Sequence, residues 1–165
     1  MFTILCIADS DKHFSLAIEE YCKRLGKDLK IENLKPFKDD NHHLVIQKET
    51  KSLIEVLSKK YSSAQKILMI KEWEKRDTIQ LSQNLKAKET VFIIGWPYGV
   101  DEDQLVSAFP QIKKLSFGAI TLPHGLAKLT LIEQLYRVTT LLGLFKHERS
   151  LFLWIIIRLV NKHHD

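Results

Sequence analysis

The chain has 165 residues, of which 45% are hydrophobic and 27% charged, a composition typical of one soluble globular domain. Its formal net charge of +5 favours an anionic partner without identifying one. Its two cysteines, Cys6 and Cys22, lack CxxC or zinc-ligand spacing, so a disulfide scaffold and a zinc module are both disfavoured. Because no basic segment with a long apolar run opens the sequence, we expect no signal peptide and a cytoplasmic protein.

The first half of the chain predicts two pairs of strand and helix. The apolar run at 2–8 predicts a buried strand, and apolar positions at helical spacing predict a helix over 12–25. Alternating residues at 29–34 predict a second strand that is exposed on one side. After a polar loop at 36–43, a basic helix is expected over 44–60.

The second half predicts three more pairs. They are a strand at 66–71 with a short helix that begins at Asp77 or Thr78, a strand at 90–94 with a short helix that opens at 101–103, and a strand at 114–122 with a long helix over 125–144. Five alternations of strand and helix predict an α/β fold, a parallel-rich sheet with helices on both faces. In such sheets, ligands bind beyond the carboxyl ends of the strands.

Two loops at predicted carboxyl ends are rich in glycine and proline. One is G-W-P-Y-G at 95–99, and the other contains Pro123, His124 and Gly125. Glycine lets the backbone approach a ligand closely, and the start of a helix offers unpaired N–H groups. If the two strands are neighbours, the loops face one another across a single crevice. Each loop, taken alone, is also compatible with a purely structural turn.

Several common enzyme classes are disfavoured. The sequence has no GxGxxG, GxxxxGK[ST], HExxH or GxSxG motif, which argues against a dinucleotide oxidoreductase, a P-loop NTPase, a zincin and a serine hydrolase. The histidine pairs at 42–43 and 163–164 are interpreted as solvated surface residues, so no metal site is expected. Glu133 and Arg137, four residues apart on a predicted helix, are typical of an exposed ion pair, and Tyr136 is equally compatible with amphipathic packing.

Two segments taken together resemble a known family. F-I-I-G-W-P-Y-G-V at 92–100 is similar to an I-G-G-P-x-G loop, and the segment 115–137 contains T-L-P-H followed by E-Q-L-Y-R. The combination resembles the RlmH-type ribosomal RNA methyltransferases of the SPOUT superfamily. The T-L-P-H and E-Q-L-Y-R pair is specific, whereas the glycine loop alone is not. The resemblance covers residues 1–149 as one domain and leaves 150–165 as an atypical apolar tail.

The resemblance implies a SPOUT-type α/β domain with a C-terminal trefoil knot, normally a homodimer. Knots are nearly absent among protein folds, so only the resemblance supports one here. It also implies S-adenosylmethionine as the cofactor, held largely by backbone groups. The cofactor-binding residues that it implies are Ile94, Gly95 and Gly99 in the first loop and Ile120, Leu122, Pro123, His124 and Gly125 in the second.

The same resemblance implies methylation of N3 of a pseudouridine in large-subunit ribosomal RNA, on the large subunit or the assembled ribosome, and no membrane association. A base in a loop is a sensible target because it can be splayed out and read on its edge. The residues implied near the acceptor are Tyr136 and Arg137 of the long helix, with His147 and Arg149 in place of a C-terminal Tyr-His-Arg cluster. Arg137 is expected to stabilise an anionic base or a phosphate.

Three parts of the chain differ from the family pattern. Trp96 and Tyr98 replace a glycine and an acidic residue of the glycine loop, and 71–74 lacks the usual glycine after the third strand. A terminal N-x-P-Y-H-R is replaced by G-L-F-K-H-E-R at 143–149. The apolar stretch 151–160 that follows is interpreted as a buried or dimer-covering helix, a membrane-surface helix or a degenerate sequence. Two alternative functions stay open: an RNA-binding relative that does not methylate, and a small-ligand binding module on a related α/β fold.

Overall fold

Five segments pair into one parallel sheet in the computed structural model of the chain. The strands are β1 (Phe2–Ile7), β2 (Leu29–Leu34), β3 (Gln65–Met69), β4 (Thr90–Ile94) and β5 (Lys113–Leu115). Their spatial order is β2-β1-β4-β3-β5. The structure describes residues 1–8, 12–70, 78–85, 89–95, 99–119 and 121–161, and for 144–161 it describes the backbone alone.

Helices connect the strands and cover the sheet. They are α1 (Ser15–Leu25), α2 (His42–Lys60), α3 (Thr78–Asn84), α4 (Glu102–Ala108) and α5 (His124–Asn161), with a short 3₁₀ turn at Gly26–Asp28. Side-chain caps mark the N-terminal starts of two helices, α2 and α4. Asn41 accepts from Leu44 N at 3.2 Å, and Asp101 accepts from Gln104 N at 3.0 Å, so each satisfies an N–H that has no partner within its helix.

The alternation of side chains along the strands divides the core into two layers. On one face, Ile4 and Phe92 pack with apolar residues of α1, α3 and α5. On the other face, Leu5 and Ile93 pack with residues of α2 and α4. Successive strand residues point to opposite faces, which is why neighbours in sequence belong to different layers. The predicted parallel sheet with helices on both faces is therefore confirmed.

The fifth strand is much shorter than predicted. The apolar pattern indicated a strand over 114–122, but β5 ends at Leu115. Ser116 Oγ accepts from Gly118 N at 3.0 Å, and Gly118 has a φ of 124°, which a side chain rarely tolerates. This local turn takes the backbone out of the sheet although the following residues are apolar enough to continue it.

The last helix is longer than predicted. The pattern indicated an end near residue 144, whereas α5 continues to Asn161 and spans 38 residues. The backbone of the apolar stretch 151–160 is therefore helical. Which partner covers this stretch stays a prediction, since its side chains lie outside the described residues.

A carboxylate on the edge strand joins β2 to the end of α2. Glu32 accepts from Lys60 Nζ at 2.5 Å and from the Tyr61 hydroxyl at 2.8 Å, and Lys30 Nζ lies 3.3 Å away. The hydrogen bond from Lys60 above all, with those from Tyr61 and Lys30, lowers the pKa of Glu32 from 4.5 to about 2. Because the folded chain favours the ionised form, this stabilisation is complete above pH 4.5 and is lost as the pH falls from 4.5 toward 2.

We expect Glu32→Gln to lower the free energy of unfolding by about 1 kcal/mol at pH 7, since an amide cannot accept from all of these donors. The free energy of unfolding of the variant should also fall less than that of the wild type between pH 4.5 and pH 2.5. Urea unfolding at the two pH values measures both effects. Glu55→Gln, which removes an exposed pair with Lys59 on α2, is the matched control. Equal behaviour of the two variants would show that the Glu32 network does not link α2 to β2.

Candidate active site

The glycine loop begins at the carboxyl end of β4. Ile94 is buried at the end of the strand, and Gly95 follows it half-buried. A Cβ placed on Gly95 would lie 3.1 Å from Val100 Cγ1 and 3.4 Å from the carbonyl carbon of Gly99. Gly99 has a φ of 82°, in the left-handed region that favours glycine. The backbone conformation therefore favours glycine at position 99, and at position 95 a side chain would crowd that of Val100. The intervening residues 96–98 lie outside the described residues.

The second predicted loop forms the start of α5. The Pro123 carbonyl accepts from Ala127 N at 2.9 Å, which begins the helical hydrogen-bond pattern. Leu122 and His124 are half-buried, Pro123 is exposed and Gly125 is buried in the first turn. Ile120, also implied as a cofactor residue, lies outside the described residues.

The strands that precede these two loops are not neighbours. β3 lies between β4 and β5, so the two strand ends are separated by two interstrand spacings, roughly 10 Å. The prediction of a shared crevice required that the two strands be neighbours, and they are not. The loop that follows β3 begins at Ile70, whose N–H donates to the Leu115 carbonyl at 2.9 Å, and its residues 71–77 lie outside the described residues.

A buried lysine joins α5 to the edge strand β2. Lys128 is fully buried, and its Nζ lies 3.1 Å from Asn33 Oδ1, near the carboxyl end of β2. β2 and β5 form opposite edges of the sheet. The contact therefore joins α5, which follows β5 in the chain, to the far edge strand.

Tyr136 packs against α1. Its ring centroid lies 5.8 Å from that of Tyr21, and the Arg24 guanidinium carbon lies 5.6 Å from the Tyr21 centroid and 5.7 Å from the Tyr136 centroid. Aromatic pairs and cation–π contacts at such distances are favourable. The orientation of Tyr136 is therefore set by a neighbouring helix.

Arg137 lies on the solvent side of α5. Its Nε donates to Glu133 Oε1, and its side chain is 63% exposed. The hydrogen bond to Glu133 is the main reason why the pKa of Arg137 is raised above its ordinary value. The expected i,i+4 ion pair is confirmed, and the pair holds a guanidinium at the surface rather than burying it.

The structure does not bring all the predicted site residues together. Arg137 is 13 positions beyond His124 on the same helix, or about 20 Å along its axis. The predicted acceptor residues Tyr136 and Arg137 are thus well separated from the first turn of α5 in one chain. His147 and Arg149 lie farther along α5, where only the backbone is described.

A family model described as a predicted SPOUT methyltransferase matches residues 1–145. The chain belongs to the SPOUT methyltransferase family. The protein named ribosomal RNA large subunit methyltransferase H from Mycoplasmopsis agalactiae is 31% identical over 152 residues, or 88% of this chain and 97% of that protein. The protein of the same name from Mycoplasmopsis pulmonis is 28% identical over 142 residues, or 85% and 93%. These relatives identify the chain as an RlmH-type member of the family.

A solved structure supports the SPOUT fold independently. The crystal structure of a protein described as an RNA methyltransferase from Bacillus anthracis superposes with a TM-score of 0.54. The match covers 85% of this chain and 95% of that one, at 11% sequence identity. At this identity the similarity bears on the fold alone.

Other site classes find little support in this SPOUT chain. Among the described residues, no group of three or more histidine, cysteine, aspartate or glutamate side chains is placed to hold a metal ion. The exposed pair His42 and His43 begins α2, and the pair at 163–164 lies outside the described residues. No helix within the described part of the chain has both the length and the hydrophobicity to cross a membrane.

Sequence reasoning missed Lys128, although a signal for it was present. It shares the stripe of one helical face with Leu131, Ile132 and Leu135, all of which are fully buried. A lysine in that phase predicts a buried ammonium with dedicated acceptors. Tyr21 and Arg24 were also missed as neighbours of Tyr136, because no pattern in one sequence shows which faces of α1 and α5 meet.

We expect Asn33→Ala to lower the free energy of unfolding by about 1–3 kcal/mol, because the buried Lys128 ammonium loses an acceptor. In a Lys128→Met background the same change should cost only a few tenths of a kcal/mol, which gives a coupling of about 1 kcal/mol or more. Urea unfolding of the four members of this cycle measures the coupling. Additive losses would show that the contact does not anchor the start of α5.

Proposed function

We propose that this SPOUT methyltransferase transfers a methyl group from S-adenosylmethionine to large-subunit ribosomal RNA, at N3 of a pseudouridine in a loop. The observation that carries the proposal is the similarity to relatives named ribosomal RNA large subunit methyltransferase H over almost their whole length. The net charge of +5 agrees with an RNA substrate, whose phosphates attract lysine and arginine.

The described residues fit such a cofactor at the carboxyl edge of the sheet. A Cβ on Gly99 or Gly118 would meet no described atom within 4 Å, so each backbone borders space that a ligand can approach. Buried Ile94 and half-buried Leu122 provide apolar surface at the same edge. We assign cofactor binding to Ile94, Gly95, Gly99, Ile120, Leu122, Pro123, His124 and Gly125.

In this reaction the protein mainly positions the accepting base and stabilises the charge that develops on it. When bound, S-adenosylmethionine supplies a methyl group that its sulfonium already activates. The residues of the chain hold the accepting base in line with that group, which supplies much of the acceleration. N3 of the base loses its proton to solvent water, and the Arg137 guanidinium stabilises the anionic base that then accepts the methyl group. We assign Tyr136, His147 and Arg149 to the same acceptor side.

A second copy of the chain completes the site in this proposal. Within one chain, Arg137 lies about 20 Å along α5 from His124. The cofactor-binding residues of one chain would therefore meet the acceptor residues of a partner chain. Leu16 at the start of α1, Ile79 at the start of α3 and Phe117 after β5 are exposed large apolar side chains near the carboxyl edge. A homodimer interface along that edge would cover them.

One observation favours the alternative of a relative that binds RNA without methylating it. The backbone of residues 143–149 is continuous helix, and no proline ends it. His147 and Arg149 therefore belong to a continuous helix in place of the terminal Tyr-His-Arg segment of the family. Titration calorimetry with S-adenosylmethionine, followed by mass spectrometry of ribosomal RNA with and without the protein, separates the two functions. RNA binding without cofactor binding and without methylation of the RNA would support the alternative.

We expect Gly99→Val to abolish S-adenosylmethionine binding while the fold survives, because a β-branched residue cannot adopt a φ of 82° without shifting the loop. Calorimetry measures the affinity, and circular dichroism checks the fold. Gly26→Val is the matched control, since Gly26 also has a positive φ, of 53°, but lies at the end of α1. Retained affinity in Gly99→Val would remove the glycine loop from the cofactor site.

We expect Arg137→Ala to lower kcat about a hundredfold with little change in cofactor affinity, as for the loss of one group that stabilises developing charge. Methylation of a ribosomal RNA substrate and calorimetry provide the two measurements. Lys59→Ala removes another exposed cation from an i,i+4 pair, on the opposite face of the sheet, and controls for net charge. Equal losses in turnover and cofactor affinity would show that the acceptor role of Arg137 is misassigned.

A further inference from the structure

A line of hydrogen bonds joins the start of α3 to Arg137. Thr78 Oγ1 lies 2.6 Å from Gln134 Oε1, and Gln134 Nε2 lies 2.7 Å from Glu133 Oε2. The other carboxylate oxygen, Glu133 Oε1, accepts from Arg137 Nε. Four side chains from two helices thus form one relay, which begins where the chain returns from the carboxyl end of β3 and ends at the guanidinium.

The direction of every hydrogen bond in the relay is determined by chemistry. An ionised carboxylate only accepts, so Gln134 must turn its NH₂ group toward Glu133. Its carbonyl oxygen then faces Thr78, and the threonine hydroxyl must donate to it. At the other end, arginine only donates. The relay therefore has a single arrangement, in which each side chain fixes the orientation of the next.

A comparison within the chain shows what the relay adds to a simple ion pair. Glu20 and Arg24 on α1 have the same i,i+4 spacing, and both side chains are about half exposed, at 56% and 49%. Glu133 is only 23% exposed, while Arg137 is 63% exposed. The carboxylate that holds Arg137 is thus itself shielded and held by Gln134, which reduces its freedom to rotate and its screening by water.

We propose that Thr78 and Gln134 are positioning residues for Arg137. They fix the Glu133 carboxylate, and that carboxylate sets the direction in which the exposed guanidinium points. Because Thr78 is the first residue of α3, the relay links the orientation of Arg137 to the start of that helix. The consequence for methyl transfer rests on the proposed function, whereas the effect on the Arg137 side chain does not.

Nuclear magnetic resonance of the Arg137 Nε–H group tests the relay directly. Thr78→Val keeps the shape of the side chain and removes the hydroxyl, and we expect the Arg137 Nε–H signal to shift and its order parameter to fall. Thr78→Ser keeps the hydroxyl and should restore both values, which a merely structural role of the β-branched side chain would not predict. The Arg24 Nε–H signal serves as an internal control. An unchanged Arg137 signal in Thr78→Val, or an equal change in Thr78→Ser, would overturn the proposal.

Turnover tests the consequence for the reaction. We expect Thr78→Val and Gln134→Met each to lower kcat for ribosomal RNA methylation about tenfold with unchanged affinity for S-adenosylmethionine, because a misdirected guanidinium acts only at the acceptor. Thr78→Ser should retain nearly full kcat. If the signal of Arg137 changes but kcat does not, the positioning role is wrong. If Arg137→Ala itself keeps full turnover, the acceptor role of Arg137 within the proposed function is wrong. The resonance measurement still shows whether Thr78 and Gln134 orient Arg137.

Discussion

The packing of α5 across the sheet is the constraint on which the rest of the structure depends. Leu131, Leu135 and Val138 are fully buried in the same core layer as α1 and α3, so a single helix completes one face of the protein. Burial of such side chains contributes roughly 1.5–3 kcal/mol each. The contact between Lys128 and Asn33 then fixes where along the sheet this helix begins.

The same helix fixes the geometry of the candidate site. Its first turn carries Pro123, His124 and Gly125, and its outer face carries Arg137 about 20 Å farther on. A rigid helix cannot bring these residues together, so one chain keeps the proposed cofactor rim about 20 Å from the proposed acceptor group. The proposal of a site shared between two copies rests on this separation. Within one chain, Arg137 is linked through Glu133 and Gln134 to Thr78 at the start of α3.

Polar contacts supply the detail that apolar packing leaves open. Tyr136 could turn several ways on a half-buried face, but Tyr21 and Arg24 select one. Arg137 would sample many rotamers at 63% exposure, but Glu133 and Gln134 restrict it. In both cases the partners lie close in space. Four of them are on α1 or in the E-Q-L-Y-R segment itself, while Thr78 is 56 positions away from Gln134.

Strand β5 shows where pattern reasoning fails. The residues after Leu115 are apolar enough to extend a strand, yet Ser116 and Gly118 form a turn that ends the strand there. Hydrophobicity reports whether a segment is buried, but a strand also needs a neighbour to pair with. The sequence alone does not state whether a pairing partner is available at that edge of the sheet.

The sequence by itself determined the five alternations of strand and helix, the parallel sheet and the two motif segments, because periodicity and turn residues act over a few neighbouring positions. Resemblance in those segments also indicated the SPOUT family, which the family match confirmed. Only the tertiary structure decided that β3 separates β4 from β5, that Lys128 reaches β2, and that Thr78 meets Gln134. Such contacts join distant parts of the chain, and they depend on how whole helices pack on the sheet.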